Sequence, residues 1–176
     1  SSVGARTNGL TSFGSTGVVW KSGVLWSNAA GARLGGSRVS PEVGVGGLTI
    51  ENTVIGALSS GQVGLLPSSG SFTSDYNAIF LTNGGAVGVV GGGVFSRTYD
   101  TVSSWSRDTG HDLHTVSRWP RLADSGGGDF RLLSQGGRYV PVSKSFTVDS
   151  VTSPLLDAGK PSSVFTNETS PNGARI

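Results

Sequence analysis

Neither cysteine nor methionine occurs among the 176 residues. Without cysteine, disulfides, thiolate nucleophiles and zinc–thiolate sites are all excluded. Charge is scarce as well, at 14% of the chain, where an ordinary soluble domain carries roughly 25%. The formal net charge of +2 gives little steering toward nucleic acid or an anionic membrane. Long apolar runs are missing: the richest stretch, 86–94, is broken by glycines and falls far short of the roughly 18 residues a spanning helix needs. Helix signals are nearly absent, because no window of ten or more residues free of Gly and Pro keeps the i, i+3, i+4, i+7 spacing. The chain opens at Ser1 with neither a signal-peptide nor a transit-peptide pattern, so it is expected to be a piece of a longer polypeptide.

What is abundant is glycine, 29 of 176 residues, about twice the usual share. Glycine adds no core volume, so Val, Leu, Ile, Phe and Trp must supply the interior within a hydrophobic fraction of 35%. Few charges and recurrent apolar clusters describe a folded chain, since disorder shows the opposite balance.

Those clusters are short and punctuated by turn residues. Val18-Val19-Trp20 and Val24-Leu25-Trp26 flank Lys21-Ser22-Gly23, and Ala78–Thr82 faces Ala86–Val90 across Asn83-Gly84-Gly85. Both have hairpin spacing, with residues suited to positive φ in the turn. Further strands are expected over 48–58, 62–66, 94–105, 113–119, 130–133, 138–142 and 145–151. In the last, Phe146 and Val148 alternate with Ser145, Thr147 and Asp149, as a sheet with one wet face requires. No long-period repeat stands out; the echo around Trp20 and Trp26 reads as a hairpin. The expected fold is all-β: an antiparallel sandwich of jelly-roll type, or a barrel, over residues 1–153. Residues 154–176, with Pro154, Pro161, Pro171 and Asn172-Gly173, read as an extended C-terminal arm.

Charge is unevenly spread. From Val39 to Ser96 there is no Lys or Arg, only Glu42, Glu51 and Asp75, whereas nine basic and eight acidic residues occupy the chain from Arg97 onward. The segment Arg97–Tyr139 interleaves Arg97, Arg107, Arg118, Arg121, Arg131 and Arg138 with Tyr99, Trp105, Trp119, Phe130 and Tyr139. Single-stranded nucleic acids and glycans are bound by such mixtures. However, Asp100, Asp108, Asp112, Asp124 and Asp129 nearly cancel the arginines, which favours Arg–Asp pairing over a phosphate-tracking groove.

Motifs for catalysis are thin. Asp108-Thr109-Gly110 has the letters of an aspartic-protease loop but occurs once, where that chemistry needs two carboxylates; it reads as a turn. His111, Asp112 and His114 sit close to Asp108, yet on a strand the two imidazoles would point to opposite faces. No Gly-x-Ser-x-Gly elbow is present, Gly14-Ser15-Thr16-Gly17 being one residue short, and Glu42, Glu51 and Asp75 are not paired by spacing. Gly84-Gly85-Ala86-Val87-Gly88 and Gly91-Gly92-Gly93 precede strand-like residues, where a phosphate loop would need a helix. Asn167-Glu168-Thr169 has the N-glycosylation pattern, with chance the simplest account. No catalytic, cofactor-binding or metal-ligating residue is assigned, and no cofactor is expected.

Three functional classes remain. The first is a non-enzymatic structural protein of a viral or phage particle, such as a capsid protrusion, decoration or fibre domain. It would assemble with itself or with a larger shell, at the virion or an extracellular surface, and the Gly/Ser/Thr/Val-rich all-β texture resembles viral coat and phage appendage domains. The second is a glycan-binding module for surface or receptor attachment, with Trp20, Trp26 or Trp105 as stacking platforms. The third is a hydrolase on a β scaffold, relying on His111 or His114. The first is preferred. No strong nucleic-acid signal and no membrane-inserting segment accompany any of them.

Overall fold

The computed structural model describes residues 2–3, 8–12, 18–26, 30–34, 47–67, 71–91 and 93–164. The described chain is built mostly of strands with one short α-helix, and the all-β expectation holds at that level. It divides into two compact units, Ser1–Ser117 and Arg118–Ile176.

In the first unit the strands are β1 (Ser2–Val3), β2 (Asn8–Ser12), β3 (Val18–Lys21), β4 (Val24–Trp26), β5 (Ala30–Leu34), β6 (Gly47–Glu51), β7 (Val54–Ala57), β8 (Val63–Pro67), β9 (Ser71–Asp75), β10 (Ala78–Leu81), β11 (Ala86–Val90) and β12 (Arg97–Tyr99). A 3-10 turn at Gly93–Phe95 precedes β12, and α1 (Val102–Thr109) comes after it. Every third strand pairs in parallel: β1-β4-β7-β10 form one sheet, β2-β5-β8-β11 a second with β12 added at its edge, and β3-β6-β9 a third. The chain therefore winds through three sheets in turn, each coil resting on the one before, as a parallel β-solenoid. Among the described strands of this unit, only β12 runs antiparallel to its neighbour, β11.

This corrects the expected antiparallel sandwich, and no closed barrel is found among the described strands. The turn at Asn83-Gly84 has the expected local form, since Asn83 (φ 49°) and Gly84 (φ 80°) are both left-handed and Gly85 N donates to Thr82 O at 2.9 Å. Its strands, however, do not pair with each other. Thr82 N donates to Ala57 O at 3.0 Å, and Thr82 Oγ1 and Asn83 Nδ2 both donate to Leu58 O. The turn is thereby fastened to the preceding coil, so β10 and β11 leave it on different sheets. A Cβ on Gly85 would stand 2.3 Å from Ala57 O, which is why glycine occupies this corner. The turn at Ser22-Gly23 behaves likewise: Ser22 N donates to Glu51 O and Val54 N to Gly23 O, so Trp20 and Trp26 lie on two sheets.

Register stacks like on like. Leu25, Ile55 and Ile79 form one column and Leu48 and Phe72 another. Leu25, Leu48, Ile50, Ile55, Leu65, Ile79, Val87, Tyr99 and Trp105 make up the buried core. Lys21, Glu51 and Asp75 share a register row on β3-β6-β9, and Lys21 Nζ meets Glu51 Oε2 at 2.9 Å. The left-handed corner residues Ser22, Asn52 and Tyr76 (φ 52°, 52° and 54°) come directly after that row, so the same bend recurs in three successive coils.

The expected strand over 94–105 is instead the 3-10 turn, β12 and the start of α1. Thr101 caps the helix by accepting from Ser104 N at 3.2 Å, and Gly110 ends it at φ 73°, its N–H donating to Ser106 O. These are the side-chain cap and left-handed glycine stop typical of helices. The expected strand over 113–119 is reduced to one parallel bridge between Val116 and Ala78.

The second unit is antiparallel, as expected of the whole. β13 (Leu122–Asp124) pairs with β14 (Asp129–Leu132), and β15 (Arg138–Val140) with β16 (Ser145–Thr147). Ser153 and Leu155 are buried within it, and turns cover 154–157. The Asn167 pattern, Glu42, the Gly14–Gly17 string and the end of the C-terminal arm lie outside the described residues.

Candidate functional site

At the C-terminal end of the solenoid a buried polar network closes the core. The Asp112 carboxylate is 1% exposed and accepts from Trp105 Nε1 at 2.9 Å, Ser74 Oγ at 2.9 Å, Asn77 Nδ2 at 3.1 Å and Thr115 Oγ1 at 2.6 Å. Its own N–H donates to Ser74 O at 2.7 Å. Asn77 extends the network by accepting from Thr53 N and reaching Ile50 O. With every carboxylate contact a donor, the charge is satisfied in place, and Asp112 works as a keystone of the cap.

The two histidines are held apart by that cap. The His111 ring meets Phe72 edge-on at 5.1 Å and lies against Trp105. His114 stacks on Tyr76, 4.6 Å between centroids, and its Nδ1 lies 2.8 Å from Asp75 Oδ2. The Asp75 carboxyl also accepts from His114 N and Tyr76 N. Burial would raise its pKa, but these bonds together hold it below the ordinary aspartate value. Among the described residues no hydroxyl is hydrogen-bonded to either imidazole, and no cluster of three metal-ligating side chains forms. Asp108 is engaged elsewhere: Arg107 Nε and Arg97 Nη2 both reach it at 2.7 Å, and the Arg107 hydrogen bond lowers its pKa. The Asp108-Thr109-Gly110 triplet is a helix end.

The tryptophans expected as platforms are largely enclosed. Trp105 is fully buried and Trp26 4% exposed, stacked on Phe80 at 6.1 Å, while Trp20 is half-buried. The exposed indole is Trp119, at 49%.

Trp119 belongs to a cleft of about 430 Å³ in the second unit, lined by Arg118, Trp119, Arg121, Gln135, Val151, Thr152 and Pro154. Backbone and side-chain bonds tie its walls together. Leu133 N donates to Arg121 O at 3.0 Å and Ser153 N to Leu133 O at 2.9 Å. Gln135 N donates to Thr152 Oγ1 at 3.1 Å, and Gln135 Nε2 to Ser150 O at 3.1 Å. Arg121 is held at φ 50°, a left-handed conformation that is uncommon for side chains of this size.

The expected Arg–Asp pairing is present for four of the six arginines. Beyond the two pairs at Asp108, Arg131 binds Asp129 through Nε and Nη2, and Arg138 binds Asp149 through Nε and Nη2, both at 3.0 Å. Arg118 and Arg121 make no ion pair among the described residues, and both line the cleft. Spacing could not separate these two from the other four; only the folded positions of the aspartates do.

The paired carboxylates set an acid limit on the second unit. Arg138's hydrogen bonds, then Ser134 N–H, lower the Asp149 pKa against burial; Arg131's bonds do the same for Asp129. A depressed folded-state pKa contributes stability that is present above the ordinary aspartate value of about 3.9 and is lost as pH falls through the folded value. Thermal unfolding followed by circular dichroism should therefore give a transition for this unit that is level from pH 7 to 5 and drops below about pH 4. Asp149→Asn should lower the plateau and flatten the drop; an unchanged profile would count against this account.

No protein-family model, curated protein or solved structure matches the chain.

Proposed function

We propose that this chain is a non-enzymatic structural protein, a component of a viral or phage particle or appendage that associates with copies of itself at the virion or another extracellular surface. A solenoid suits such a role because each coil is held by its neighbours through continuous strand ladders and stacked side chains, giving a stiff scaffold. The observation that carries the reading is at the 3-10 turn. Val94 and Phe95 are 93% and 86% exposed, side by side, on the half that carries no Lys or Arg between Val39 and Ser96. Adjacent large apolar side chains left exposed to solvent mark a contact site for another molecule, and a second copy presents the same apolar pair.

Light scattering coupled to gel filtration tests this. The full chain at tens of micromolar should show a mass that is a multiple of 17.9 kDa. The double substitution Val94→Ser, Phe95→Ser should weaken association by about tenfold or more, the loss expected when a buried apolar anchor is removed. A strictly monomeric species at every concentration would overturn the proposal.

A further inference from the structure

We infer that the cleft of the second unit is a binding site for an acidic saccharide, a pyranose bearing a carboxylate. This inference stands apart from the assembly reading. Its basis is the difference between Arg118 and Arg121 and the other four arginines of the Arg97–Tyr139 segment: those four are ion-paired to Asp108, Asp129 or Asp149, whereas these two line one cavity with no acid among its lining residues. Guanidinium groups left unneutralised in a concave site recognise oxyanions through paired N–H donors.

The indole between them in sequence narrows the choice. Trp119 is half-exposed at the cleft, and the apolar C–H face of a pyranose ring packs on indole surface while its hydroxyls and carboxylate reach polar walls. Gln135 and Thr152 supply the polar wall, and their mutual hydrogen bonds, at 3.1 and 3.3 Å, hold them in position before a ligand arrives. A volume of about 430 Å³ falls within the roughly 300–1,000 Å³ of small-ligand sites, enough for a short saccharide. A nucleic-acid strand fits less well: it needs a row of phosphate contacts, and this unit's other described arginines, Arg131 and Arg138, are occupied by Asp129 and Asp149.

Calorimetric titration of the full chain tests the assignment, using trigalacturonate, galactotriose, oligothymidylate and inorganic phosphate as separate probes. Trigalacturonate should bind with a dissociation constant on the order of 0.1–1 mM and weaken as salt rises. Galactotriose should bind at least about tenfold more weakly, as expected when the charge-assisted bonds are missing. Arg118→Ala, Arg121→Ala and Trp119→Ala should each reduce affinity about tenfold or more. Arg118→Lys should recover only part, because an ammonium lacks the guanidinium fork. Arg107→Ala, which alters an exposed arginine outside the cleft, should leave binding unchanged, and circular dichroism would confirm that every variant is folded. Equal binding of the neutral trisaccharide, tighter binding of oligothymidylate or phosphate, or no heat from trigalacturonate at 10 mM would each overturn the inference.

Discussion

Replacing Asp112 with alanine is expected to lower the unfolding free energy of the first unit by about 3–5 kcal/mol, the range for removing one partner from a buried charged network. Four donors converge on its carboxylate: Trp105 Nε1, Ser74 Oγ, Asn77 Nδ2 and Thr115 Oγ1. Alanine would strip Trp105 Nε1 and the Ser74 and Thr115 hydroxyls of this acceptor, while Asn77 Nδ2 keeps Ile50 O and Ser74 Oγ, and each unsatisfied buried group costs roughly 1–3 kcal/mol before relaxation. The Asp112→Asn variant separates geometry from charge. Its carbonyl oxygen can still accept from Ser74 and Thr115, but its amide nitrogen then faces the Trp105 N–H, so two donors oppose each other. An intermediate loss of about 2 kcal/mol is expected, together with a change in the near-ultraviolet signal of Trp105. Urea unfolding of the three proteins provides the measurement. If the alanine variant loses less than about 1 kcal/mol, Asp112 is not the keystone of the cap.

Asp112 also shows where the sequence could and could not be read. Its neighbours His111 and His114 invite a metal or catalytic reading, because histidines and carboxylates at short spacing are the raw material of such sites. Nothing in the spacing says that Asp112 turns inward under Trp105 while His114 turns out to Tyr76. That division arises because residues 112–116 run along the corner already formed by Ser74–Ala78, a tertiary template 38 residues away in the chain. The strands themselves are legible. Val54–Ala57, Ala78–Leu81 and Ala86–Val90 are β-rich runs between glycine or asparagine turns, and each is expected as strand. Their pairing is not, since the same Asn-Gly chemistry that closes a hairpin also bends a solenoid corner. The choice depends on whether Leu58 O of the coil below is present to receive Thr82 and Asn83.

The repeat is hidden for a related reason. Thirty residues separate Leu25 from Ile55 in one column, but only twenty-four separate Ile55 from Ile79. Corners of unequal length blur a period that strand register keeps intact, so a search for a fixed spacing finds little. Helix α1 escapes notice because it is eight residues long with a single buried side chain, Trp105, too short for an apolar stripe to repeat. Its cap residues, Thr101 and Gly110, are the available signal. For the cleft, Arg118 and Trp119 lie within the basic–aromatic segment picked out by composition, but Gln135 and Thr152 carry no mark before folding.

A double-mutant cycle between Gly88 and Trp105 gives the second large effect. A Cβ on Gly88 would stand 2.4 Å from Trp105 Cζ3 and 2.7 Å from Cε3, well inside contact distance. The ring has little room to retreat, because it is fully buried, crossed edge-on by Tyr99 at 5.4 Å and fixed through Nε1 to Asp112. Gly88→Ala should therefore cost about 2–3 kcal/mol through overpacking, although alanine is ordinarily the better strand residue. Trp105→Ala should cost about 3–5 kcal/mol, the usual loss for emptying a buried aromatic site. In the Trp105→Ala background the methyl at position 88 no longer meets an indole and instead fills part of the void, so the second substitution should cost close to nothing. The two losses should then fall short of additivity by about 2 kcal/mol or more, the coupling expected of residues in direct contact. Urea unfolding of the four proteins measures that coupling. Additive losses would mean that the indole does not sit on Gly88, and that the solenoid core is closed by some other contact.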